Sequence, residues 1–294
     1  MVRRRYEASG KTEDGAPLRL ALLALVVGGV AGAVEGLVSA WFDLLILFPL
    51  VIGVAAGAAA GKAVKDGKVR APALAALLAG LGGLLGQGVK HEVQYQHFLR
   101  SDAVAQMQEQ GMNVDTLLQD ATGKTGRAGY LLLHAQQGTT ISRHGRSGPT
   151  LRGPAFWVLF GIEFVMAAGM ASLMGWGAAS EPFCERCKKW YGPDTAVAGG
   201  AGDKQTVKAT IAALEASDWR RFAEGLGAPD AKAASQVLVA ACPGCTDNDR
   251  RLKIQVLHRP GHRKQKAATQ FVSMIRPDEL RGLEGALADR KAAS

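Results

Sequence analysis

The four cysteines of this chain fall into two C-x2-C pairs, Cys184-Glu-Arg-Cys187 and Cys242-Pro-Gly-Cys245, with 54 residues between them. Two intervening residues let each pair close a knuckle that turns both sulfurs the same way, and two knuckles complete a tetrahedral thiolate site. The expected cofactor is a structural zinc ion. The competing chemistry, dithiol redox, expects a C-x2-C beside a βαβ unit, and the sequence has no such pattern. The gap exceeds the usual ribbon spacing, so a helix must be inserted. Residues 204–225, with Ile211, Leu214, Trp219 and Phe222 as apolar positions, read as that helix.

Three acids form a second set of candidates. Glu163, Glu35 and Asp43 lie in or at the edge of long apolar stretches. A carboxylate in hydrocarbon is costly, so such residues mark function or find a partner. The apolar stretches hold no Lys or Arg, which leaves protonation, water or a cation to satisfy these acids. For Glu35 and Asp43 the plainer reading is that they mark helix ends. For Glu163 it is a protonated packing residue, in which case Glu163→Gln should be nearly silent.

Four stretches have the roughly 20 apolar residues that a membrane crossing needs: residues 20–40, 41–61, 71–89 and 155–179. The chain has 294 residues, 48% hydrophobic and 6% aromatic, with 37 glycines. Bunching of apolar residues excludes an ordinary soluble enzyme, a disordered chain and a disulfide-dense secreted module. The fold class expected is a mainly α membrane protein, four transmembrane helices with a small α+β zinc-ribbon-like cytoplasmic domain. Arg3, Arg4, Arg5, Lys11 and Arg19 precede the first stretch, and Lys62, Lys65, Lys68 and Arg70 separate the second from the third. By the positive-inside rule residues 1–19 are a cytoplasmic tail, 90–154 an extracytoplasmic helical segment and 180–294 a cytoplasmic domain. Trp157 and Trp176 bracket the fourth stretch as interfacial anchors.

Within residues 90–154, Ser101 and Asp102 predict a helix to about residue 110, residues 113–121 and 130–137 read as two more, and 142–154 as loop. Gly28, Gly32 and Gly36 recur at spacing four, as do Gly53, Gly57 and Gly61, and Gly82 and Gly86. Such faces bring helix backbones close, either within one chain or between copies in a homo-oligomer. Met166, Met170 and Met174 read as packing surface. After the cysteines, residues 236–241, 252–257 and 269–275 read as strands, and Pro277-Asp-Glu opens a final helix to about residue 290. Arg259, Arg263, Lys264 and Lys266 form a basic tip suited to anionic lipid. Residues 180–294 carry 19 basic and 14 acidic residues, a balance that does not favour nucleic acid.

Arg152-Gly-Pro-Ala-Phe-Trp through Glu163, with Pro182-Phe-Cys184-Glu-Arg-Cys187-Lys-Lys-Trp190-Tyr, resembles uncharacterised bacterial multi-pass inner-membrane proteins. That resemblance implies a bacterial inner membrane and no particular activity. The expected function is a non-enzymatic membrane anchor or adaptor whose zinc-stapled cytoplasmic domain docks a partner protein. The alternative is an oligomeric channel or ion-coupled transporter working through Glu163.

Overall fold

The computed structural model describes residues 6–39, 47–143, 146–200, 204–224, 226–227, 235–245, 252–258 and 268–293. Asp43, Arg259, Arg263, Lys264 and Lys266 lie outside the described residues. The chain is mainly helical and divides into two compact units, residues 10–180 and residues 1–9 with 181–294.

The first unit begins with α1 (Ala16–Val38), α2 (Leu47–Asp66) and α3 (Pro72–Leu99). Three short helices follow, α4 (Asp102–Glu109), α5 (Val114–Thr122) and α6 (Gly126–Gln137). The strands β1 (Thr139–Arg143) and β2 (Arg146–Leu151) lead into α7 (Pro154–Ala179). Helices α1, α2, α3 and α7 are long and apolar enough to cross a membrane. Their outer faces are apolar too: Leu22, Val26, Val30, Leu77, Val165 and Leu173 are exposed, as suits lipid contact. Both α3 and α7 start on a proline at the first turn, where its missing N–H costs nothing. Ser101 and Asn113 cap α4 and α5 through their side-chain oxygens.

Helix α3 runs past the apolar stretch at 71–89 to Leu99, because Val93, Phe98 and the polar residues between them keep helical spacing without a breaker. One expectation for this unit needs correction. Residues 139–151, expected as loop after 142, pair as the antiparallel hairpin β1–β2, with Thr139 opposite Leu151 and Thr140 opposite Thr150. β-branched residues at the base of the hairpin favour the pairing over a free loop.

Glycine sets how closely the helices meet. A Cβ on Gly83 would lie 2.5 Å from the Ala167 carbonyl oxygen of α7, and one on Gly53 would lie 2.6 Å from the same atom. Gly28 and Gly32 abut the Gly82 and Gly86 backbone, and Gly57 meets Met174. The spacing-four faces are thus packed against helices of the same chain, and Met170 and Met174 serve as packing surface against α2.

The second unit carries the hairpin β3 (Phe183–Cys184) and β4 (Lys189–Trp190), then β5 (Thr195–Gly200). Helices α8 (Lys204–Ala216) and α9 (Trp219–Glu224) follow, with β6 (Leu226–Gly227), β7 (Ser235–Ala241), β8 (Leu252–His258), β9 (Ala268–Ile275) and α10 (Pro277–Ala293). Strands β6-β5-β7-β8-β9 form one antiparallel sheet in that order. Val237 and Val239 join Leu214, Phe222, Phe271 and Leu283 in its core. The helix expected over residues 204–225 is two helices. Ser217 turns left-handed at φ 58, and the Arg221 N–H donates to Asp218 Oδ1 at 3.0 Å, capping a new start. Beside β9, the last strand of the sheet, the Tyr6 N–H donates to the Val272 carbonyl at 2.8 Å. The Tyr6 hydroxyl accepts from the Phe183 N–H at 3.3 Å.

Candidate functional site

The cysteines come together. Cys184 ends β3, Cys187 lies in the turn before β4, and Cys242 and Cys245 follow β7. Their four sulfurs all lie within 4.8 Å of one another. Zn–S bonds of about 2.3 Å at tetrahedral angles place sulfurs about 3.8 Å apart. The Cys184–Cys245 separation is 3.8 Å and the Cys187–Cys245 separation 3.3 Å, so small side-chain shifts suffice to seat an ion.

Local sequence explains the two knuckles. Lys188 takes φ 54 and its N–H donates to the Cys184 carbonyl at 2.9 Å, closing the first turn. In the second, Gly244 leaves room: a Cβ there would come within 2.9 Å of Cys187 Cβ. The Gly244 N–H points at Cys242 Sγ, 3.5 Å away, a donor that favours thiolate. Phe183 and Trp190 pack edge to face at 4.9 Å beside the first turn. Hydrogen bonding to Cys245 pushes the Cys187 thiol up to about 12, and burial pushes Cys242 up. A divalent cation reverses that balance by displacing the protons.

Glu163 sits in a second cluster that the sequence did not reveal. Its Oε2 lies 3.6 Å from Lys90 Nζ, accepts from Gln87 Nε2 at 2.6 Å, and is 3.8 Å from His91 Nε2. The absence of a cation from the apolar stretches therefore does not leave Glu163 alone. The extension of α3 carries Lys90 into the bundle, where its side chain is 1% exposed and lies 5.7 Å from the Phe48 ring.

A directed chain of hydrogen bonds runs from this pair across to α1. Gln87 donates to Glu163, and its Nε2 is 3.2 Å from His91 Nε2. His91 Nδ1 is 2.9 Å from Gln94 Oε1, and Gln94 Nε2 donates to Ser39 Oγ at 3.0 Å. Ser39 donates in turn to the Gly36 carbonyl at 2.8 Å. These partners together put the proton of His91 on Nδ1 and leave Nε2 as acceptor. Glu35 is buried in the last turn of α1. The available signal was the run Gln87, Lys90, His91 and Gln94, whose spacing of three and four puts all four on one helix face.

Fold and site together define a class: a mainly helical chain with four helices long and apolar enough to cross a membrane, and an α+β unit that gathers four cysteines into a candidate metal centre. No protein-family model, no curated protein and no solved structure matches the chain.

Proposed function

We infer that this chain is a membrane anchor or adaptor, and that its C-terminal unit, stapled by a structural zinc ion, docks a partner protein on the cytoplasmic face of an inner membrane. The observation that carries the reading is the four-sulfur cluster in the sheet unit, in a chain that also has four helices long and apolar enough to cross a membrane. Zinc is favoured because four thiolates at tetrahedral spacing suit it. The two knuckles follow the logic of a zinc ribbon, with the five-stranded sheet built between and after them. Four crossings return the chain to the side on which it began. The Tyr6–Val272 hydrogen bond agrees, since it joins the N-terminal tail to the unit after the last crossing. The basic residues before α1 and between α2 and α3 favour the cytoplasm for that side. Anionic lipid is the nearest surface for the basic tip at Arg259, Arg263, Lys264 and Lys266.

The alternative, a channel or ion-coupled transporter using Glu163, draws on the buried Lys90–Glu163 pair. Against it, Gly28 and Gly32 of α1 meet Gly82 and Gly86 of α3 backbone to backbone, which is close packing between those two helices rather than a lumen. The test is chemical cross-linking in native membranes with full-length chain and its Cys242→Ser variant. Wild type should retain about one zinc per chain and capture a protein that the variant loses. Ion flux above empty vesicles from the reconstituted wild-type chain, abolished by Glu163→Gln, would overturn the anchor reading.

A further inference from the structure

A cavity of about 380 Å³ opens inside the first unit, beside the polar cluster and independent of the cysteines. Lys90 and Glu163 line it together with His91, Gln94 and Ser39. Phe98 and Tyr130 extend it along α3 and α6, and Phe156, Leu159 and Phe160 form the α7 wall. Lys90 and Phe98 are eight residues apart on one helix, so the lined length is about 12 Å. That size is in the range of small-molecule sites.

Charge limits what fits. The lining cation and anion already face each other, so their sum is neutral. A ligand with a net charge would satisfy one partner and repel the other inside a desolvated bundle. Hydrogen-bonding capacity narrows the choice further. Lys90 Nζ stands 3.6 Å from the carboxylate, too far for an N–H···O bond, so its N–H groups retain donor capacity. Among the described residues the Tyr130 hydroxyl and the His134 ring have no hydrogen-bond partner, although Tyr130 is buried. Burial pushes the Tyr130 phenol up to about 12 and the His134 ring down, so at neutral pH both are uncharged and each carries an N–H or O–H. The cavity therefore holds unfilled donors at Lys90 and Tyr130, and an acceptor on the ligand complements both.

Shape supplies the last constraint. Phe156, Phe160 and Phe164 run down α7 with ring centroids 6.1 and 5.1 Å apart, and the His91 ring lies tilted over Phe160 at 4.6 Å. Tyr130 meets Phe98 at 5.0 Å on the other wall. Aromatic walls of this kind select a flat body. Trp157 and Val158, on the same turn of α7, are exposed in the outward direction where lipid would lie.

We propose that this cavity binds an uncharged, flat, lipid-soluble carbonyl compound of the quinone type, with a carbonyl oxygen accepting from Lys90 at the inner end and from Tyr130 at the outer end. The Phe156–Phe160 row of α7 and the Phe98–Tyr130 pair of α3 and α6 sandwich the ring.

The test uses the full-length chain in lipid nanodiscs and a benzoquinone carrying one isoprenyl unit, with bound quinone measured by ultrafiltration against empty nanodiscs. Binding should saturate at about one per chain. Tyr130→Phe, which keeps the ring and removes the hydroxyl, should weaken it about three- to tenfold, the range for one uncharged hydrogen bond. Leu159→Trp, which fills the cavity, should abolish saturable binding while the thermal transition persists. Binding no greater than to empty nanodiscs would overturn the proposal, as would an unchanged affinity in both variants. An aromatic carboxylate of similar size binding as tightly as the quinone would also overturn it, because the cavity would then accept net charge.

Discussion

The Lys90–Glu163 pair makes the sharpest prediction, since sequence alone leads to the opposite one. A protonated, isolated Glu163 predicts that Glu163→Gln is silent. The structure places Lys90 Nζ at 3.6 Å with side-chain exposures of 1% for Lys90 and 9% for Glu163. Coulomb attraction at that distance, with an effective dielectric constant near 20, is about 4.6 kcal/mol before desolvation is subtracted. Glu163→Gln keeps the acceptor for Gln87 but strands a buried ammonium, and Lys90→Met strands a buried carboxylate. Each single change should cost about 3–5 kcal/mol, the range for breaking a buried pair from one side. The double change leaves no buried charge and should come within about 1–2 kcal/mol of wild type. Reversible unfolding in mixed detergent and SDS, run on all four chains, closes the cycle. A coupling free energy below about 0.5 kcal/mol, with the two single costs simply adding, would refute the reasoning and restore the isolated carboxyl.

Helix packing gives a paired prediction on α3. Gly83→Ala would place a methyl 2.5 Å from the Ala167 carbonyl and force about 0.9 Å of separation to reach ordinary contact at 3.4 Å, costing about 1–3 kcal/mol. Gly88→Ala, with nothing within 4 Å, should leave SDS resistance unchanged or raised, and equal losses at both sites would contradict the packing. For the metal centre, mass spectrometry of the native full-length chain should give one zinc, and Cys187→Ser should lose it and loosen the C-terminal unit, read as faster proteolysis. Metal uptake should strengthen as pH rises, because binding displaces thiol protons; metal content indifferent to both the substitution and pH speaks against a thiolate site. Burial lowers the His134 pKa in the folded chain below its usual 6.5. The unfolded chain then binds more protons just below pH 6.5, so the stability from a neutral His134 is present above 6.5 and declines as pH falls through the folded value. His134→Gln should flatten that acid limb in a pH series of thermal transitions, and an unaltered slope would place the titration elsewhere.

Elements held by short-range interactions are legible in the sequence, and those held by long-range ones are not. A long apolar run is a local signal, so the four helices long and apolar enough to cross a membrane are legible in the sequence, with ends shifted by a few residues. The exception is the C-terminal end of α3, which runs ten residues past the apolar stretch. The C-x2-C spacing fixes two knuckles locally, and the strand patterns at β7, β8 and β9 follow from short-range alternation. β5 escaped notice because Thr-Ala-Val-Ala-Gly-Gly carries little apolar contrast, and it becomes a strand by pairing with β7. The break between α8 and α9 was signalled by Asp218, whose capping role competes with a continuous apolar face.

By itself, then, the sequence determined the elements whose signals lie within one or two turns of chain: the long apolar helices, caps, knuckles and the candidate thiolate ligands. Only the tertiary structure decided which acid meets which base. Glu163 and Lys90 are 73 positions apart, and no local pattern encodes that α3 passes α7 in a register that joins them. That register is set by backbone contact at Gly83 and Ala167, where the absence of a side chain lets two helices close to a distance at which a buried charge finds its partner.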